Sequence, residues 1–170
     1  MASVHSKAQI QRPEIRIRDP KTNEIVDHIT SDVPDLLSVH GTIKPSPQVA
    51  PNATLSFLAR RGQPFPGTPS LAWTIDFERG EIRVTSSSTS LETGDGEEEP
   101  TTIQVHYFDS DTVETIDWGW SDRQAQLPLP ARSVMESLYA FADGRAAGDG
   151  WVSLEDAAKR ASLIESFLEV

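Results

Sequence analysis

The chain has 170 residues, 37% hydrophobic and 24% charged, which fits one domain of ordinary size with a buried core. Acidic residues outnumber Lys and Arg 26 to 15, a net charge of −11 that disfavours nucleic acid and anionic membranes as partners. The absence of cysteine excludes disulfides, a thiolate nucleophile and cysteine-ligated metal. No apolar run is long enough to span a bilayer, and Met1–His5 lacks the basic-then-apolar order of a signal peptide, so a cytoplasmic protein is expected.

Residues 2–10 alternate, with Val4, Ser6, Ala8 and Ile10 on one face, and read as a half-buried strand. Pro13 interrupts it. Glu14–Arg18 and Glu24–Thr30 read as two strands of a hairpin across the turn residues Asp19, Pro20 and Asn23. Leu37, Val39, Gly41 and Ile43 alternate with polar residues, and Pro45 and Pro47 end that strand. A longer strand is expected over Val49–Arg60. A loop stiffened by Pro64, Pro66 and Pro69 follows. Leu71, Trp73, Ile75 and Phe77 then give the cleanest alternation in the chain. Glu78-Arg79-Gly80 turns into a strand carrying Ile82 and Val84. Residues 86–100, rich in Ser, Gly and Glu, read as a flexible acidic loop. Ile103–Tyr107 and Val113–Asp117 are further strands. Val134, Leu138 and Phe141 are spaced as a helix ending near Gly144. Ser153, with Asp156 three residues on, opens a last helix whose apolar face holds Leu154, Ala157, Ala161, Ile164 and Leu168. Several strands and then two helices predict an α+β domain.

The chemistry is sparse. Gly94-Asp95-Gly96 and Gly148-Asp149-Gly150 do not follow a strand and open a helix, as a dinucleotide-binding turn must. No two of His5, His28, His40 and His106 have metal-ligand spacing, so no metal is expected. No nucleophile elbow is present. The aromatic residues Phe65, Trp73, Trp118 and Trp120 can line one cavity, with Arg60, Arg61, Asp117 or Asp122 as polar groups. Trp73 also reads as core, from its alternation with Ile75 and Phe77. Trp118 and Trp120 fit a pocket or a subunit interface equally.

The segment LAWTIDFERGEIRVT resembles the W-x-I-x-G-x-x-G-E-I-R-V hairpin of the Gfo/Idh/MocA oxidoreductases. PDLLSVHGTI, the strand ending Arg60-Arg61-Gly62, and GQPFPGTP resemble the subgroup that includes the fungal galactose/lactose metabolism regulatory proteins. The closing segment from Leu154 to Glu165 is similar to that family's last helix. Phe77 stands where the hairpin usually has its first glycine. The resemblance covers nearly the whole chain but only the family's C-terminal domain. It implies an open, mostly antiparallel sheet with helices packed on one face, a substrate site at the rim and an oligomer interface on the other face. In the family a Rossmann domain binds NAD(P), a Glu-Lys-Pro motif carries a catalytic lysine, and an Asp-x-x-x-His helix opens the second domain. Lys44-Pro45 follows Ile43, and no Asp is followed by His four residues on, so no catalytic residue carries over.

The expectation is therefore a single C-terminal-type domain over residues 1–170, working as an interaction module without redox activity of its own. Its partner is a second copy, through the open sheet face, or another protein. Arg60, Arg61, Phe65, Trp73 and Trp120 are the candidate substrate-binding residues. No cofactor is expected for this chain alone; NAD(P) would need a separate Rossmann partner, making the chain half of a split oxidoreductase. The alternative is a cofactor-free isomerase or cyclase acting on a small molecule in the inherited pocket.

Overall fold

The computed structural model describes residues 2–62, 65–89, 91 and 101–168, and the chain divides into two compact units. The first comprises Met1–Gln63 with Leu154–Val170; the second is Pro64–Ser153.

The first unit holds β1 (Ala2–Gln9), β2 (Glu14–Arg18), β3 (Ile25–Thr30), β4 (Leu36–Thr42) and β5 (Thr54–Arg60). The antiparallel strands β1, β4 and β5 form one sheet in that order, and β2 pairs with β3 in a separate hairpin. Alternation decides the faces, as expected: Val4, Ser6 and Ala8 are half-buried between exposed neighbours. Val39, opposite Ser6 on β1 and Phe57 on β5, is 2% exposed. Burying that side chain stabilises the unit by about 1.5 kcal/mol. Beside it, Gly41 lets β1 come close, since an added Cβ would lie 3.2 Å from Val4 Cγ2. In the hairpin turn, Asp19 Oδ1 accepts from the amides of Lys21 and Thr22 at 2.7 and 3.1 Å. The expected Val49–Arg60 strand begins only at Thr54. Pro51 cannot donate to a ladder, and Asn52 turns the chain at φ 63°.

The second unit holds β6 (Leu71–Phe77), β7 (Gly80–Ser86), β8 (Thr102–Tyr107) and β9 (Thr112–Ile116) as an antiparallel sheet in sequence order. The register separates its faces. Trp73, Val84, Ile103 and Ile116 form one row; Ile75, Ile82, Val105 and Glu114 the next; Phe77, Gly80, Tyr107 and Thr112 the third. The opposite face carries Thr74, Arg83, Gln104 and Thr115, then Asp76, Glu81, His106 and Val113. At the sheet's end Ser86 is 2% exposed and accepts from the Thr101 hydroxyl at 2.8 Å. The segment expected to be flexible is therefore strand at Ser86; Ser90 and residues 92–100 lie outside the described residues.

Helices α1 (Asp122–Ala125) and α2 (Leu129–Ala142) complete the second unit, and α3 (Leu154–Leu168) belongs to the first. The sequence reading missed α1. A capping box makes it: the Ser121 hydroxyl accepts from the Gln124 amide, and the Gln124 side chain accepts from the Ser121 amide at 3.0 Å. Pro130 sits in the first turn of α2, where its missing N–H costs nothing, and Gly144 follows its C-cap as expected. The α+β class and the open antiparallel sheets are as expected, but the described strands form three sheets and not one. Strand pairing is a non-local choice that alternation leaves undetermined. α3 lies against β1, while the described packing of α2 is with α1. No helix among the described residues is long and apolar enough to cross a membrane.

Candidate functional site

Two surfaces carry chemistry, one in each unit. In the first, β1, β4 and β5 end together around Asp35. Its carboxylate accepts from the Gln11 amide at 2.6 Å and from Arg12 Nε at 3.0 Å. Arg12 Nη2 donates to the Arg61 carbonyl at 2.6 Å, and the Arg61 amide donates to the Asp35 carbonyl at 2.8 Å. Gly62 follows at φ 103°, where a Cβ would be strained and would meet Arg12 Nη1 at 3.1 Å. Arg12, Asp35, Arg61 and Gly62 line a cavity of about 320 Å³ with Glu14, Ile15 and Val33.

The Gln11 N–H holds the Asp35 carboxyl below its ordinary value of 3.8, against partial burial and with help from Arg12. A depressed carboxylate contributes stability that is complete above 3.8 and is lost as the pH falls through the folded pKa. Asp35→Asn is therefore expected to lower the melting temperature at neutral pH. The gap from the wild type should narrow as the pH drops below 3.8, measured by circular dichroism melts from pH 7 to pH 2.5.

The second surface is the apolar face of the four-stranded sheet. Trp73, Phe77 and Tyr107 are 52%, 51% and 43% exposed on it. A concavity of about 470 Å³ opens there, lined by Phe77, Ile82, Val105 and Tyr107, with the ion pair Arg79–Asp109 on its rim. The Tyr107 hydroxyl donates to Glu114 at 3.1 Å, and that carboxylate raises the phenol above 10.0. The other face is mostly polar, with Val113 as an exposed apolar residue. His106 Nε2 stands 3.0 Å from Asp111 Oδ1, and the Thr85 and Thr102 hydroxyls are 2.7 Å apart.

The expected site residues are divided between the units. Arg61 lines the cavity at Asp35; Arg60, next to it on β5, does not. Phe65 is 77% exposed. Trp73 corrects the core reading: its face is apolar, yet its side chain is half exposed. Trp120 is half-buried and meets Trp118 edge to face at 6.1 Å, with Arg132 5.7 Å from its ring. Trp118 donates to the Thr101 carbonyl at 2.8 Å, so this aromatic pair packs the end of the sheet. The sequence reading missed Arg12 and Asp35 as site residues. The only local signals are their places just after one strand and just before another, and their pairing spans 23 positions.

No protein-family model matches the chain, and no curated protein sequence matches it. Solved structures do. A super-repressor mutant of Gal80p from Saccharomyces cerevisiae aligns with a TM-score of 0.71 at 17% identity, over 98% of this chain and 41% of that one. A second such mutant gives 0.63 at 18%, over 98% and 42%. The transcriptional regulator Gal80p from Kluyveromyces lactis gives 0.64 at 14%, over 97% and 37%. The likeness supports the resemblance seen in the sequence. The chain spans about two fifths of the length of these proteins and shares with that part its fold, α+β with open antiparallel sheets.

Proposed function

We propose that residues 1–170 are one C-terminal-type domain of the Gfo/Idh/MocA kind that acts as a regulatory protein-interaction module in the cytoplasm, without redox activity of its own. The observation that carries this reading is the apolar sheet face on which Trp73, Phe77 and Tyr107 are about half exposed. Large aromatic residues left together on a sheet face mark an association surface, and aromatic anchors dominate binding energy in such surfaces. The partner is a second copy or another protein. The fold shared with a transcriptional regulator supports the regulatory half of the reading. A net charge of −11 argues against direct contact with nucleic acid.

On this reading the chain holds no dinucleotide by itself. Gly148 and Gly150 lie between α2 and α3, so no strand delivers them to a helix N-terminus. This chain takes no cofactor alone, and NAD(P) would require a Rossmann partner. Sedimentation velocity at about 10–50 µM, above the Kd of interfaces of standard size, is expected to show a dimer or larger species. A strict monomer there, with NADH fluorescence unchanged, counts against self-association and leaves a separate protein as the partner to be sought.

A further inference from the structure

The cavity at Asp35 holds an arginine with nothing to do. The amide and the carbonyl of Arg61 are both engaged, with the Asp35 carbonyl and Arg12 Nη2. Its backbone is thus held from two sides. Its guanidinium has no hydrogen-bond or ion-pair partner among the described residues. The other charges nearby are accounted for. Asp35 is taken by Gln11 and Arg12, and Glu14 Oε1 accepts from the Thr30 hydroxyl at 2.9 Å. Ile15 and Val33 supply apolar wall. A volume of about 320 Å³ is at the small end for ligand sites.

We propose that this cavity binds a small monocarboxylate with a short apolar body, its carboxylate on the Arg61 guanidinium and its tail against Ile15 and Val33. A guanidinium fork matches a carboxylate in two parallel hydrogen bonds. Arg12, which also lines the cavity, adds a second guanidinium at the same wall. Glu14 sets the charge limit. Its carboxylate in the lining repels a dianion such as phosphate more than a monoanion. The proposed association surface belongs to the other unit.

The test is an amide NMR titration of the full chain with sodium isovalerate at constant ionic strength, with inorganic phosphate as a parallel arm. Saturable shifts are expected at Val33, Arg61 and Gly62, with a Kd on the order of 1 mM. Arg61→Gln should weaken binding at least about tenfold while leaving the melting temperature unchanged, because that guanidinium holds no described partner. Glu14→Gln should tighten it by removing a like charge. Shifts that never saturate, an Arg61→Gln titration like that of the wild type, or weaker binding in Glu14→Gln would overturn the proposal. Equal response to phosphate would overturn the choice of a carboxylate.

Discussion

Trp73→Thr together with Phe77→Thr is expected to weaken association at least about a hundredfold without unfolding the sheet. Both side chains stand on the apolar face of β6 and are about half exposed, so about half of each remains for a partner to cover. Threonine keeps a high strand preference, so the substitution removes contact area and not the strand. Burying the rest of a tryptophan and a phenylalanine in a partner is worth about 2 kcal/mol or more each where they anchor an interface. Thr74→Ala, on the opposite face of the same strand, is the control and should associate as the wild type does. Sedimentation equilibrium or a titration of intrinsic tryptophan fluorescence reads the difference. Unchanged association in the double variant would move the interface elsewhere and remove the proposed role of this face.

Gly80→Ala is expected to cost about 3 kcal/mol, the upper end for forced overpacking. Gly80 lies opposite Phe77 on β6 and Tyr107 on β8, at the start of a central strand. A Cβ there would lie 2.4 Å from the His106 carbonyl oxygen. That neighbour is backbone, so it cannot rotate away as a flexible side chain would. Either the β7–β8 ladder opens at that end or β8 shifts, and both disturb the third apolar row with Phe77 and Tyr107. Hydrogen exchange should show lost protection in β7 and β8 but not in β1, β4 or β5. A variant with the wild-type melting temperature would mean that the ladder yields more easily than this contact implies.

The two surfaces differ in how far they could be read in advance. The apolar face was legible: Leu71, Trp73, Ile75 and Phe77 occupy every second position between turn residues, and β6 runs over that span. Its exposure was not. Alternation tells which residues share a face, and whether a layer covers that face depends on packing between distant segments. The sequence therefore made Trp73 look like core, and the structure leaves it half open. The cavity shows the converse. Arg61 was singled out as a polar group for an aromatic-lined pocket, but its surroundings are Arg12 and Asp35, which the chain brings there from far away in sequence.

The local grammar of the chain thus settled the α+β class, the bounds of β2 and β6, the stop of α2 just before Gly144 and the facing of the strands. Each follows from a period of two or 3.6, or from a turn residue, all short-range effects. The division into three sheets, the half-exposed aromatic face and the Arg12–Asp35–Arg61 cluster were decided by tertiary structure, whereas the capping box of α1 was a local signal the sequence reading passed over. Strand register and charge pairing compare many alternatives of similar local energy. Only the packing of the whole unit makes one of them lower than the rest.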